Sequence, residues 1–407
     1  YTKQVAIAFD KKEYSKASKL CDEMMADPSA PHQELQNLKF NLLTTTGDYE
    51  AAEALCNQVL AERDVPWAQL GLVKVYFSQQ KYYEAKELLD GIVANNGDFV
   101  AAYDWLSRVQ KKLGNTTAAE EALTQAVERS PKSLQRQREL SELAVINDNH
   151  TLAERACRDA MLIGKYSVLR SPEDYVNYSS SLVKNNKGKE ALRVAESIKH
   201  AFKGDNGARL QAEICKSTVH QELGNDAKAE AAMNSALELY QKSGVIGSSS
   251  AGLALARNCL KYGREKEADA IIKDIAKNNH ENKAVLEEIS QTYEDAGFAG
   301  KAEEAITAAI DEIAEINNEG VRLINEGKIL ESIELFKEAA RALPRNHIIS
   351  LNAAHSYILL MKKNGANRQH VNEAMRYLDA VKDIDSARKR YNSLMKGCRE
   401  VAQQAGL

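Results

Sequence analysis

The chain has 407 residues, with 54 Lys plus Arg against 58 Asp plus Glu and a formal net charge of −4. A protein that grips a phosphate backbone needs a strongly basic face, so this balance argues against nucleic acid as a partner. The 21 Gly and 6 Pro fall well short of the ~50 that average usage would place in a chain this long, which points to short turns and an all-α class.

No apolar stretch reaches the ~20 residues that a membrane helix needs, so no membrane partner is expected. The first residue, Tyr1, is neither an initiator Met nor the start of a signal peptide, and the chain reads as an excised, soluble segment. The cysteines Cys21, Cys56, Cys157, Cys215, Cys259 and Cys398 are far apart and include no C-x-x-C pair. Disulfide and zinc frameworks therefore lack their spacing, and a reducing cytoplasm fits best.

In chain order, ten turn markers recur: Lys12, Gly47, Gln80, Gly114, Asp148, Asn186, Gly224, Gly263, Gly297 and Gly327. Their spacings are 35, 33, 34, 34, 38, 38, 39, 34 and 30 residues. Five residues after each stands Ala17, Ala52, Ala85, Ala119, Ala153, Ala191, Ala229, Ala268, Ala302 or Ser332. Seven residues before those from Gly114 onward stand Ser107, Ser141, Ser179, Ser217, Ala256, Ser290 and Gly320. Small side chains at both places predict two helices per unit, crossing closely beside the marker, while larger residues nine positions after it, such as Leu89, Leu123 and Phe336, fill the gap to the next pair. Ten units and a degenerate eleventh near 351–381 are expected, closed by a helix around 386–402.

Three stretches depart from the period. An insertion at 164–175 ends in Ser171-Pro172-Glu173-Asp174, a helix start with Pro in the first turn and acids near the positive helix end. The stretch 243–250 is rich in Gly and Ser and is expected to be mobile. Between Gly297 and Gly327 the inter-repeat turn is missing, no Pro occurs from Lys301 to Asn325, and Ala302, Ala305, Ile306, Ala309, Ile313, Ile316, Leu323 and Ile324 keep one face. One fused helix over 301–325 is predicted. It would join an N-terminal solenoid of about nine repeats, residues 1–300, to C-terminal repeats and a capping helix, residues 315–407.

This pattern resembles the tetratricopeptide (TPR) repeat, a 34-residue helix-turn-helix unit; its best copy here is Tyr103, Leu106, Ser107, Gln110, Gly114, Ala119, Leu123, Ala126 and Pro131. The resemblance implies an all-α TPR-type superhelix. A more particular composite, Phe99 to Leu106, Ser130-Pro131 to Leu140, Arg170 to Tyr175 and Asn317 to Val321, is similar to the C-terminal part of bacterial TPR-containing response regulators. That likeness implies an output or adaptor module of a two-component phosphorelay protein, with an N-terminal receiver domain preceding Tyr1 in the full-length protein. The alternative is a free-standing assembly scaffold or chaperone-like adaptor without a phosphorelay link.

In TPR proteins the first helices of the units line a concave surface. Projected onto this sequence, that surface takes Asn37, Asn41, Trp67, Leu70, Lys74, Phe77, Asp104, Arg108, Lys111 and Arg138 as candidate peptide-groove residues. Aromatic anchors beside cations would suit an extended protein segment carrying apolar and acidic side chains. The competing expectation is that Trp67 and Phe77 pack against neighbouring helices and that the polar groups are merely solvated. Lys132 and Arg136 have the four-residue spacing of a two-carboxylate chaperone clamp, but they fall before and at the start of their helix, so no clamp is expected.

Nothing in the sequence supports chemistry. The eight His residues show no H-E-x-x-H or comparable metal spacing, and His355, near Asn352 and Tyr357, reads as a packed or capping group. The pairs Glu287-Glu288 and Glu303-Glu304 sit on exposed helix faces and not in a dry cleft. The six basic residues Lys382, Arg388, Lys389, Arg390, Lys396 and Arg399 outnumber the acids Asp383, Asp385 and Glu400 around the terminal helix, which reads as a soluble cap. No catalytic residue, cofactor or metal is expected.

Overall fold

The computed structural model describes residues 2–243, 249–343 and 346–406. Among these residues there are 22 α-helices and one short 3-10 turn, with no strand. Within the stretch expected to be mobile, residues 244–248 lie outside the described residues. Contacts group the chain into two compact units, Tyr1–Lys187 and Gly188–Leu407; the sequence-based boundary near residue 300 falls inside the second.

The first unit contains α1 (Thr2–Asp10), α2 (Tyr14–Met25), α3 (His32–Thr46), α4 (Tyr49–Glu62), α5 (Pro66–Ser78), α6 (Tyr82–Asn95), α7 (Val100–Lys112), α8 (Thr116–Arg129), α9 (Leu134–Ile146), α10 (His150–Gly164) and α11 (Pro172–Lys184). The second contains α12 (Gly188–Ala201), α13 (Asn206–Glu222), α14 (Asp226–Ser243), α15 (Ser249–Lys261), α16 (Glu265–Asn278), α17 (Lys283–Asp295), α18 (Lys301–Asn325), α19 (Ile329–Ala342), α20 (His347–Asn364), α21 (Arg368–Asp379) and α22 (Arg388–Gln404).

All ten markers have a left-handed backbone. The glycines among them lie between φ 68° and 83°, while Lys12, Gln80, Asp148 and Asn186 reach 59°, 61°, 55° and 61°. After each marker the next N–H donates to the carbonyl five residues before it, at 2.7 to 2.9 Å, from Glu13 to Ala8 through Lys328 to Leu323. This is the bond that ends a helix on an αL residue and satisfies its orphan carbonyl. The recurrent turn is thus a backbone device, and a side chain is tolerated where glycine is absent.

The small residues five positions on are withdrawn from solvent in every unit, from Ala17 at 0% exposure to Ala302 at 7%. Their partners Ser107, Ser141, Ser179, Ser217, Ala256 and Gly320 are buried, and Ser290 is half-buried. At Gly320 the approach is closest: a Cβ built there would lie 2.0 Å from Cζ of Phe336, whose ring is fully buried. Ser217 also uses its hydroxyl there, its Oγ donating to the Ala229 carbonyl at 2.9 Å. The core is therefore a succession of local clusters. One gathers Phe40, Leu55, Cys56, Val59 and Leu72, another Val73, Leu89, Ile92 and Val109.

Helix α18 runs unbroken for 25 residues, about 37 Å at 1.5 Å per residue. It buries Ala302, Ala309, Ile313, Gly320 and Leu323. Lys273 bonds to the Glu312 carboxylate at 2.6 Å, and Lys277 of the same helix, α16, joins the same group. The chain end is a 3-10 turn, Asp385–Ala387, leading into α22, which buries Met395, Cys398, Val401 and Ala402 against α20 and α21.

Candidate functional site

The ten candidate groove residues fall on α3, α5, α7 and α9, the first helices of successive hairpins in the first unit. Asn37 and Asn41 of α3, Lys74 of α5, and Arg108 and Lys111 of α7 are exposed. Arg108 lies over the Trp105 ring at 5.1 Å, an arrangement in which the ring quadrupole holds the guanidinium.

The aromatic candidates are packed. Trp67 belongs to the Phe40 cluster, its ring 6.2 Å from that of Phe40, and its indole Nε1 is withdrawn from solvent with no hydrogen-bond partner among the described residues. Phe77 makes edge contacts with Tyr82 at 5.3 Å and Trp105 at 5.5 Å. Leu70 packs with it. These side chains join neighbouring hairpins, because an aromatic ring on a solenoid helix gains more from the next helix than from water.

Two further candidates are held in ion pairs between hairpins. Arg136 Nε and Nη2 donate to Asp104 Oδ1 and Oδ2 at 2.7 and 2.8 Å, linking α9 back to α7. Two residues on, Arg138 Nε and Nη2 donate to Asp174 Oδ1 and Oδ2 at 2.7 and 2.8 Å, linking α9 forward to α11. Arg138 also donates to the Leu169 carbonyl at 2.8 Å, which pins the α10–α11 connection. Asp174 is 3% exposed, and Gly164 leaves it room, since a Cβ there would lie 2.9 Å from its Oδ2. Hydrogen bonding to Asp104 and to Asp174 raises the two guanidinium groups above their ordinary range. Arg136 has its fork occupied by Asp104, and Ser133, not Lys132, caps the helix.

The Arg138–Asp174 and Asp104–Arg136 pairings are absent from the sequence-based expectation. Their signal is charge complementarity at separations of 36 and 32 residues, close to the repeat period. A second polar cluster, His280, Glu281 and His347, also escapes sequence spacing, because stacking brings together residues far apart in the chain. His355 lies mid-helix in α20 and half-buried, so it packs and does not cap. Glu287, Glu288, Glu303 and Glu304 are exposed. Arg390 of the basic terminal stretch donates to Asn352 Oδ1, and Asn352 in turn donates to Asn317 at 2.5 Å.

Two family profiles described as tetratricopeptide repeat match this chain, over residues 43–109 and 100–133. No curated protein matches it. Among solved structures, a tetratricopeptide repeat protein from Parabacteroides merdae is similar at 13% identity, covering 64% of this chain and 98% of that one with a TM-score of 0.42. The C-terminal part of a TPR repeat-containing protein from Cytophaga hutchinsonii is similar at 15% identity, over 62% and 98%, with a TM-score of 0.42. A MamA fragment from Desulfovibrio magneticus is similar at 20% identity, over 41% and 95%, with a TM-score of 0.35. At such scores and identities these likenesses carry no argument about function. The profile matches and the ten-fold turn pattern identify the fold as an all-α TPR solenoid, and TPR repeats imply a protein–protein interaction scaffold. No described helix is long and apolar enough to cross a membrane.

Proposed function

We propose that the scaffold grips an extended protein segment bearing acidic and apolar side chains, along the first helices of the hairpins between α3 and α7, and does no chemistry. The observation that carries this reading is the row Asn37, Asn41, Lys74, Arg108 and Lys111, exposed on three successive first helices and containing three cations and no acid. Trp67, Leu70 and Phe77 set the spacing of that face from behind. Asp104 and Arg138 hold its far end in register, bonded to Arg136 and Asp174. The overall charge of −4 supports protein over nucleic acid or a membrane surface as partner, and the reduced cysteines fit a cytoplasmic setting.

The sequence composite supports a narrower form of this reading. The segment would be the output module of a two-component protein, with repeats over 1–300, a linking helix over 301–325 and a cap over 315–407, and phosphorylation of a preceding receiver would change access to the face. Intact mass of the native protein with and without acetyl phosphate tests that form: a longer product gaining one phosphate supports it, and no phosphate uptake overturns it in favour of a free adaptor.

The binding reading itself is tested by presenting the chain with a library of extended peptides. Selection of acidic sequences whose affinity falls with added salt, and falls again in Arg108→Ala and Lys74→Ala at unchanged helicity, is the expected result. Selection indifferent to salt and to both substitutions would overturn it.

A further inference from the structure

In the second unit, α16 ends at Asn278 and α17 begins at Lys283, leaving a tight turn closed by the Asn282 N–H on the Asn279 carbonyl at 2.8 Å. His280 and Glu281 project from this turn. The start of α20 is tied beside it by Asn346, which is fully buried. The Asn346 carboxamide accepts from the Ile349 N–H at 3.1 Å, capping α20, and donates to the Lys277 carbonyl at 3.1 Å. One side chain thus fixes His347, the first residue of α20, against the turn that carries His280.

The result is three ligand-type atoms converging. Glu281 Oε1 lies 3.6 Å from His347 Nε2 and 3.9 Å from His280 Nε2. The ligand atoms of all three residues lie within 4.8 Å of one another. Two atoms bound tetrahedrally to one zinc ion at 2.0–2.1 Å stand about 3.4 Å apart, so a cation needs only small side-chain rotations to reach all three. The imidazoles are stacked at 5.7 Å and each side chain is 12% exposed.

His280 adds an independent sign. Both of its ring nitrogens are withdrawn from solvent, and neither has a hydrogen-bond partner among the described residues. A neutral imidazole has one donor and one acceptor, and leaving a buried acceptor unmet costs about 1–3 kcal/mol. A cation uses that lone pair. Glu281, 48% exposed, opens the cluster to a cleft of about 750 Å³ bordered by Asn279, Asp385 and Ser386, so a fourth position is open to water.

We propose that His280, Glu281 and His347 form a binding site for Zn²⁺. Two imidazoles and one carboxylate suit a borderline divalent ion of the first transition row. The ion would staple the α16–α17 turn to the start of α20, joining hairpins that are not consecutive in the chain. Glu281 supplies the negative charge, offsetting the field of Arg390 on His347.

The test is titration of the full chain with Zn²⁺ against a chromogenic chelator, and with Co²⁺ followed by its visible absorption. One Zn²⁺ per chain is expected, with affinity lowered about tenfold or more in His280→Ala, in His347→Ala and in Glu281→Gln. The Co²⁺ spectrum should be that of a low-coordinate nitrogen and oxygen site without the strong charge-transfer band of thiolate ligands. Should either His variant lose helicity, the exposed Glu281→Gln position decides alone. No stoichiometric binding, unchanged affinity in Glu281→Gln, or a thiolate band in the Co²⁺ spectrum would overturn the assignment.

Discussion

Arg138 presents both edges of its guanidinium fork to Asp174, 36 residues on, with its Nε and Nη2 at 2.7 and 2.8 Å from the two carboxylate oxygens. Because Asp174 is nearly sealed from water while Arg138 is 29% exposed, the two partners differ in what their loss does. Arg138→Ala strands a buried carboxylate and should cost about 2 kcal/mol, below the range of about 3–5 kcal/mol for fully buried pairs because one side of the arginine is open to solvent. The double variant Arg138→Met with Asp174→Leu should recover most of that loss. Denaturant unfolding followed by helical circular dichroism measures both; equal losses in the single and double variants would show that the pair is not what joins α9 to α11.

Gly320 tolerates no side chain. A methyl group there would meet the fully buried Phe336 ring at 2.0 Å, so Gly320→Ala should destabilise the second unit by about 2–3 kcal/mol through overpacking, although alanine is the better helix former. Adding Phe336→Leu should restore part of the loss. Thermal unfolding of the three variants checks the order.

The four non-glycine markers store strain. Gln80, exposed at φ 61°, occupies a region that costs an L-residue about 1–2 kcal/mol over glycine, against about 0.5–1 kcal/mol of extra glycine entropy. Gln80→Gly should therefore stabilise the protein by roughly 0.5–1 kcal/mol, and Gly114→Gln should do the reverse. A shift of the unfolding midpoint in the same direction for both would contradict this account.

Burial pushes the Cys56 thiol up to about 12, against a smaller opposing pull from Lys74, and pushes the Cys259 thiol up to about 11, both from an ordinary 9.0. At neutral pH these thiols should resist iodoacetamide until the chain unfolds, since the thiolate is the nucleophile. The sign of the stability effect follows. Well below pH 9 these two thiols are protonated in folded and unfolded chains alike, and from there to about pH 12 the unfolded chain releases thiol protons that the fold retains, so their contribution to stability falls as pH rises. Denaturant midpoints between pH 8 and 11 should decline, and less steeply in Cys56→Ser measured against its own neutral-pH value.

The hairpin pattern was legible because it is local. The ten turn markers and the small residues five positions on answer to one backbone geometry, and α18 has its cause in a Pro-free stretch whose apolar residues keep a single face. The face of the solenoid was less legible. Trp67 and Phe77 satisfy the periodicity of a groove lining and of a packed joint equally well, and only the positions of Phe40, Tyr82 and Trp105 decide between them. Asp174 read as a helix-start acid, which it is, yet its carboxylate serves Arg138 on the preceding hairpin. His280 and His347 are separated by two helices and the whole of α18, so no spacing rule joins them.

Helix α18 changes how disturbance passes along the second unit. Where hairpins meet at a short described linker, as between α16 and α17, its few dihedrals act as a swivel, and opening on one side can stop there. Across residues 301–325 the linker is replaced by continuous backbone hydrogen bonds, so bending on one side becomes torque on the other. Unzipping that starts at the chain end should meet its first firm stop beyond this weld, not within it. Amide protons on both halves of α18 should exchange as one cooperative group.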